Sequence, residues 1–185
     1  GIGGGIVSDV AGFAASIFMR GLEFGFVSTT LLSQVDASVG GKNGVNVDRL
    51  KNMAGVFCQP RFVICDHSML STLNEEEYRN GMAEIIKTAC LDSAGLFDFV
   101  WQHREGLRNR ETSDVEEAVY RCASFKADVV TQDERETGLR RILNLGHTAG
   151  HAVEKVHGVA HGLAVAAGIG FSLFLSIKYG LTDSD

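Results

Sequence analysis

Several features that mark common classes of protein are scarce in this sequence. Its 17 lysines and arginines are outnumbered by 23 aspartates and glutamates, and the net charge of −6 argues against a surface for nucleic acid or anionic membrane. No paired C-x-x-C spacing occurs, so we expect neither disulfides nor a thiolate zinc site. We interpret the four cysteines as buried thiols of a reducing compartment: Cys58, Cys65, Cys90 and Cys122.

Long apolar runs and a leader are also missing. The longest apolar tract, residues 164–177, is interrupted by glycines and serines, so it predicts a core helix and not a membrane span. No signal peptide is visible. The chain opens directly on Gly3-Gly4-Gly5, with no strand ahead of them, which predicts a fragment without its first strands and some of its last helices. A hydrophobic content of 45% is typical of a globular protein.

The first part of the chain alternates between turns, helices and strands. The glycine triplet leads into a predicted helix through Met19, for which Ser8 or Asp9 is the expected N-cap. After it we expect, in order, a strand over 24–28, a short helix through Ser38, a glycine-rich loop over 39–46 and a strand over 61–66. This order predicts that residues 1–68 are an incomplete Rossmann-like α/β dinucleotide-binding domain.

The second part, residues 69–185, is predicted to be an all-α domain. Asn74 precedes three glutamates, a pattern typical of a helix start, and no stretch alternates as a strand does. The expected helices cover 75–91, 94–103, 113–130, 148–156 and 161–179.

Glycines at a strand-to-helix turn allow backbone N–H groups to approach a pyrophosphate, and the helix N-terminus adds a favourable potential. The triplet lacks the G-x-G-x-x-G spacing, so it predicts a variant dinucleotide site or an ordinary tight turn. Thr29 and Thr30 end the next strand, where open α/β sheets bind ligands, although helix capping explains them equally well.

Three histidines and one glutamate predict a metal site in the helical part. His147 and His151 stand four residues apart on one helix face, and His161 follows. Glu84 lies in an apolar run, where a carboxylate is expensive to bury unpaired, so either a metal or an ion pair with Lys87 would stabilise it.

Cations gather in the unusual motifs of this acidic chain. Several of them together would suit a small substrate with phosphate and carboxylate groups, whereas any one alone is more typical of a solvated surface. They are Arg20, Lys42, Lys51, Lys87, Lys126, Arg135, Arg140 and Arg141.

As a set, seven segments of the sequence resemble the 3-dehydroquinate synthase family, in family order along almost the whole chain. The segments are Gly3–Asp9, Thr29–Asp36, Ser38–Asn46, Lys51–Met53, Ala83–Lys87, Asp133–Glu136 and Asn144–His151. Departures from the family pattern are Asn43, Ala149, Leu163 and a short spacer before His161.

The resemblance implies a cytoplasmic, homodimeric lyase of the shikimate pathway. It would use NAD and a divalent metal, zinc or cobalt, to convert 3-deoxy-arabino-heptulosonate 7-phosphate into 3-dehydroquinate and phosphate. The reaction would run through oxidation, phosphate elimination, reduction and aldol cyclisation, so that NAD is regenerated.

The resemblance also assigns residues. The metal ligands would be Glu84, His147 and His161, with His157 as a rival of the last. The NAD site would be lined by Gly3, Gly4, Gly5, Ile6, Val7, Ser8, Asp9, Thr29, Thr30, Lys42, Lys51, Met69, Leu70, Ser71 and Thr72, with Asp36 nearby. Phosphate would be bound by Lys42, Asn52, His151 and, across a dimer interface, Arg20. The carboxylate would be bound by Lys126 and Arg140, and the ring hydroxyls by Lys87, Glu136 and Asn144.

Other functions stay open on sequence alone. A different sugar-phosphate cyclase, such as 2-deoxy-scyllo-inosose synthase, shares much of this pattern but acts on a substrate without a carboxylate. A metal-dependent polyol dehydrogenase such as glycerol dehydrogenase would release NADH. A non-catalytic nucleotide-binding module would leave many polar groups in apolar runs unexplained.

Overall fold

The structure is a computed structural model that describes residues 1–48, 50–92 and 95–183. It has two parts, a small α/β part and a helical part, as the sequence predicts. The strands are β1 (Ile2–Gly3), β2 (Phe26–Ser28), β3 (Lys42–Val47), β4 (Leu50–Phe57) and β5 (Val63–Cys65). The α-helices are α1 (Gly5–Ile17), α2 (Glu75–Leu91), α3 (Leu96–Gln102), α4 (Arg104–Arg108), α5 (Thr112–Gln132), α6 (His147–His157) and α7 (His161–Lys178).

Strands β1, β2 and β5 form a parallel sheet in that spatial order, with Phe26 opposite Val63. Helix α1 starts directly from β1, and its N-cap is Gly4. The predicted cap at Ser8 or Asp9 is therefore wrong: Ser8 is inside the helix, and its hydroxyl donates to the carbonyl of Gly5. Because the N-cap is a glycine, no capping side chain marks the start of this helix in the sequence.

The glycine-rich segment after β2 is not the loop that the sequence predicts. Its second half is β3, which pairs antiparallel with β4 in a separate two-stranded hairpin. The pairing sets Asn43 opposite Val56 and Gly44 opposite Gly55. Glycine and asparagine have low strand propensity, and they conceal the alternating pattern by which strands are recognised.

The helical part surrounds one apolar core. Helix α2 begins as predicted, because the side chain of Asn74 accepts the N–H of Glu77. Its buried face meets α3, α4 and α5. The tightly packed side chains include Leu31, Val35, Leu70, Tyr78, Ile85, Leu96, Leu107, Val119 and Cys122.

Only one side of α7 belongs to this core. Gly162, Ala164, Val165, Gly168 and Ile169 are buried, whereas its other face exposes large apolar side chains. By length and composition the helix could cross a membrane, with 28% of it buried. Because its glycine face packs on α2 and α6, we interpret it as a helix of the folded domain, with one face in the core as the sequence predicts and the other exposed.

The thiols also differ in part from the prediction. All four cysteines are free, as expected, but Cys122 alone among them is buried, whereas Cys90 is exposed. Burial raises the pKa of the Cys122 thiol to about 12, so this group is inert at neutral pH.

Two glycines of α7 allow a sharp test of the α6–α7 contact. A Cβ on Gly168 would lie 1.9 Å from the carbonyl oxygen of Gly146, whereas a Cβ on Gly170 would meet nothing within 4 Å. We expect Gly168→Ala to lower the free energy of unfolding by about 1–3 kcal/mol through overpacking. Gly170→Ala, the matched control, should raise it by up to about 1 kcal/mol because alanine favours helix. Urea unfolding of both variants measures this, and equal effects would contradict the close approach.

Candidate functional site

Three side chains from three helices meet at one point. Glu84 is on α2, His147 begins α6 and His161 begins α7. The Nε2 atoms of His147 and His161 lie 3.7 and 3.4 Å from Glu84 Oε1. One ligand atom from each residue falls within 4.8 Å of the other two.

A contact at Nδ1 orients the imidazole ring of each histidine. The Nδ1 of His147 lies 3.2 Å from the carbonyl oxygen of Leu145, and the Nδ1 of His161 lies 3.5 Å from Glu154 Oε2. A ring whose Nδ1–H donates to an oxygen keeps Nε2 free as a lone-pair donor. The two imidazoles therefore turn their available nitrogens toward Glu84.

Glu84 is a fully buried carboxylate, 0% exposed. Neither of its oxygens has a hydrogen-bond partner of good geometry, although Lys87 Nζ lies 2.5 Å from Oε2. Burial and Asp36 raise the pKa of Glu84, but His161 and Lys87 outweigh them and the net pKa is lowered. The carboxylate is therefore charged, and its second oxygen faces only the histidines.

This donor set fits a divalent cation. Two neutral imidazoles and one carboxylate are the nitrogen and oxygen ligands of catalytic zinc sites, which keep further positions open. Burial lowers the pKa of His147 and so favours the neutral form that binds metal, whereas the nearby carboxylate of Glu84 raises the pKa of His161. The rival His157 ends α6 and is exposed. The geometry favours His161.

Asp36 links the two parts of the chain beside this cluster. Lys126 Nζ lies 2.8 Å from its carboxylate and also donates to its backbone carbonyl, and Lys87 Nζ lies 3.7 Å away. Burial raises the pKa of Asp36, but the two lysines reverse the effect and hold it well below its usual range. Lys87 and Lys126, which are both predicted to bind substrate, thus converge on Asp36, which is predicted to lie near the NAD site.

Glu136, Asn144 and Lys42 form a second polar group. The Nδ2 of Asn144 donates to Glu136 Oε1 at 2.6 Å, and Lys42 pairs with Glu136 Oε2. Lys42 comes from the hairpin, so this pair also crosses between the two parts.

Arg140 is a buried cation, 2% exposed. Its guanidinium donates to the carbonyls of Glu134 and Gly40, at 2.5 and 2.8 Å. Among the described residues no carboxylate forms an ion pair with it. A buried guanidinium held only by carbonyl oxygens is suited to an incoming anion.

Several of the residues predicted to bind the dinucleotide lie at the turn between β1 and α1. The N–H of Thr29 donates to the carbonyl of Gly3 at 2.9 Å, and a Cβ on Gly4 would lie 2.9 Å from the methyl of Thr30. Gly5, Ile6, Val7 and Ser8 form the first turn of α1, whose N–H groups lie at the carboxyl end of the sheet. Met69, Leu70, Ser71 and Thr72 lie on the 3-10 helix that follows β5.

Asp9 shares one cavity with Lys42 and Asn52, two of the residues predicted to bind phosphate. It has a volume of about 320 Å³, and its lining includes Asp9, Lys42, Asn43 and Asn52. Asn52 holds a positive φ of 51°, an uncommon backbone state for a residue other than glycine. The side chain of Lys51 lies outside the described part of the structure.

Of the remaining predicted residues, Arg20 stands apart from the histidine cluster and His151 lies next to it. Arg20 is exposed at the end of the 3-10 turn after α1, and no hydrogen bond or ion pair joins it to the described site residues. His151 is exposed beside the histidine cluster, with its ring 5.3 Å from that of His147 and 6.1 Å from that of His161.

Sequence reasoning gave no role to two residues that shape the site. Glu154 contacts His161, and its spacing three residues after His151 would have indicated the same helix face. Asp133 organises the segment that carries Glu136 and Arg140 through bonds to the backbone. No side-chain pattern reveals such bonds.

Comparison with solved structures defines the class first. The chain is 31% identical to 2-epi-5-epi-valiolone synthase from Streptomyces hygroscopicus with NAD+ and Zn2+ bound, with a TM-score of 0.90 over 99% of this chain and 52% of that one. It is 29% identical to 2-deoxy-scyllo-inosose synthase complexed with carbaglucose-6-phosphate, NAD+ and Co2+, with a TM-score of 0.87 over 99% and 50%. The fold is that of the sugar-phosphate cyclases.

Sequence comparison then gives the family. The N-terminal family model of 3-dehydroquinate synthase matches residues 1–80 and the C-terminal model matches residues 81–185. The 3-dehydroquinate synthases of Nitrosospira multiformis and Idiomarina loihiensis are 47% and 48% identical over 97% and 100% of this chain. The chain belongs to the 3-dehydroquinate synthase family. It spans about half the length of these relatives, 50% and 53%.

Asp9 gives the site a pH dependence of stability. Burial raises its pKa from 3.8 to about 6. The charged form of Asp9 is therefore less favourable in the folded state than in the unfolded chain. As a result, the free energy of unfolding falls as the pH rises from about 4 through about 6. We expect Asp9→Asn to unfold at higher urea than the wild type at pH 7.5, with little difference at pH 4. Asp128→Asn, an exposed change on α5, is the control, and a pH-independent difference for Asp9→Asn would contradict the assignment.

Proposed function

We propose that the protein to which this chain belongs is a 3-dehydroquinate synthase, which converts 3-deoxy-arabino-heptulosonate 7-phosphate into 3-dehydroquinate and phosphate. The observation that carries the proposal is the convergence of Glu84, His147 and His161, in a chain that also buries two cations, Lys126 and Arg140. Metal ligands next to an anion clamp suit a substrate with vicinal hydroxyls and a carboxylate.

Glu84, His147 and His161 would hold the metal, and the turn from Gly3 to Asp9 would hold NAD. When bound, these two groups supply Lewis acidity toward a substrate hydroxyl and reversible acceptance of hydride. Because Glu84 is buried, solvent would not compete with it for the metal. The three helices that carry the ligands would therefore define the position of the metal.

The chain's own cations would position the substrate. Arg140 and Lys126 would bind the carboxylate, while Lys42, Asn52 and His151 would bind the phosphate at the other end. Fixing both anionic ends holds a flexible sugar chain in one orientation through successive steps. Lys87, Glu136 and Asn144 would contact the hydroxyls between them. Lys87 Nζ, 2.5 Å from Glu84 Oε2, is also placed to hold a proton there.

The assembly and location follow the same proposal. We place the protein in the cytoplasm as a homodimer, with no nucleic-acid or membrane partner. The separation of Arg20 from the described site is consistent with a role toward the phosphate of the partner subunit.

A 2-deoxy-scyllo-inosose synthase is the second candidate, because a solved structure of that enzyme has the same fold. Arg140 favours the first candidate. A guanidinium that is buried and pairs with no described carboxylate suits a substrate that brings one.

Substrate turnover by the full-length protein distinguishes these functions. With zinc and NAD present, we expect phosphate release from 3-deoxy-arabino-heptulosonate 7-phosphate without net formation of NADH, because the hydride is returned. A phosphate assay and absorbance at the NADH band measure both quantities. Turnover of glucose 6-phosphate in place of the sugar acid would favour the inosose synthase, and accumulation of NADH would indicate a dehydrogenase.

Substitution of Glu84 tests the metal centre. Glu84→Gln keeps the shape but removes the anionic ligand, so we expect zinc affinity to fall by about 100-fold or more, since losses at outer-shell partners alone reach that size. Competition with a chelator, followed by metal analysis, measures the affinity. Glu76→Gln, an exposed change on the same helix, is the control. Unchanged zinc affinity in Glu84→Gln would remove Glu84 from the ligand set.

A further inference from the structure

A short segment, residues 133–140, supplies both Glu136 and Arg140, and one side chain determines its backbone. Asp133 ends α5, and its Oδ1 accepts the N–H of Thr137 at 2.9 Å and the hydroxyl of the same residue at 3.3 Å. Its Oδ2 accepts the N–H groups of Gly138 and Arg140 at 2.7 and 3.0 Å. These bonds hold the pKa of Asp133 at about 2, so the carboxylate is charged at neutral pH.

The conformation held in this way is not one that the chain adopts readily. Glu136 has a φ of 58°, in the left-handed region that residues other than glycine rarely occupy. Such a state is unfavourable and persists only where surrounding bonds impose it. The four hydrogen bonds of Asp133 close the chain immediately on the carboxyl side of Glu136, and so they supply that constraint.

The same segment makes three contacts with the hairpin and the residues that flank it. Glu136 pairs with Lys42, the side chain of Gln59 donates to Glu134 Oε1 at 3.1 Å, and the guanidinium of Arg140 donates to the carbonyl of Gly40 at 2.8 Å. A change in the path of the segment would therefore move its two charged side chains and also their supports on the α/β part.

We infer that Asp133 is a positioning residue: by binding the backbone of residues 137–140 it places Glu136 and Arg140 toward the substrate, without touching the substrate itself. The inference rests on the proposed function. It goes beyond the residues assigned above, because none of those assignments involves Asp133.

Asp133→Asn in the full-length protein tests this role. The amide keeps the volume and can still accept from Thr137, but its –NH2 then faces the N–H groups of Gly138 and Arg140, donor against donor. We expect kcat/KM for the sugar-acid phosphate to fall by about 100-fold, the size of effect that follows from misplacing reacting groups by about 1 Å. Zinc content and the Kd for NAD, measured on the same preparation, should remain at wild-type values. Asp128→Asn is the matched control and should keep wild-type kcat/KM.

A double-mutant cycle separates positioning from general stabilisation. If Asp133 acts through Arg140, Asp133→Asn should change kcat/KM far less in an Arg140→Ala background than in the wild type. Each variant is assayed well below its own unfolding temperature, so that unfolding does not account for a lower kcat/KM. Full additivity of the two changes, or wild-type kcat/KM in Asp133→Asn, would overturn the inference.

Two further outcomes remain informative. If Asp133→Asn does not fold, Asp133→Ser is the second variant, because its hydroxyl retains one acceptor oxygen. It should also lower kcat/KM with NAD and zinc binding intact, and no loss would again reject the role. A wild-type protein that releases no phosphate from the sugar-acid phosphate would instead refute the proposed function. That failure is distinct, because it appears before any substitution is made.

Discussion

A charged carboxylate removed from water is the constraint on which the rest of this structure depends. Glu84 is fully buried, and an unpaired charge in such a place is strongly unfavourable. Its surroundings provide one ammonium group from its own helix and two imidazole nitrogens from α6 and α7. The packing of α2, α6 and α7 therefore serves an electrostatic purpose as well as an apolar one. Removal of the carboxylate would leave Lys87 buried beside a single remaining anion, Asp36.

Charged side chains of alternating sign form a series that begins at Glu84. Glu84 meets Lys87, Lys87 approaches Asp36, and Asp36 holds Lys126. The series runs from α2 through the α/β part to α5, so each half of the chain supplies charges that neutralise the other. Arg140 stands beyond the end of the series, without a carboxylate partner in the described part of the chain. An anionic substrate, as proposed, would complete the charge balance of the site.

The sequence predicted the elements with strong local signals and failed where the signal lay in the backbone. The cap of α2 and the periodicity of α2 and α5 could be identified from residue type and spacing. Glu84 was a candidate ligand on the same grounds, but the set of Glu84, His147 and His161 came from the family resemblance, because spacing alone pairs His147 with His151. The hairpin was missed because glycines and asparagines conceal alternation, and the start of α1 was displaced because Gly4 has no side chain to mark it. Asp133 received no role, since its partners are backbone N–H groups that no sequence pattern displays. The roles of the site residues remain predictions.

The contact between Gly146 and Gly168 has a consequence for how the ion is chosen. With backbone against backbone at this crossing, the spacing of the two imidazoles is set by the path of the main chain, and rotamer changes can adjust it only slightly. An ion bound as proposed would therefore meet ligands whose spacing the fold already sets, and little further ordering entropy would oppose its binding. Short, fixed spacing and two imidazole nitrogens would together disfavour calcium, which needs longer bonds to oxygen ligands, relative to zinc or cobalt.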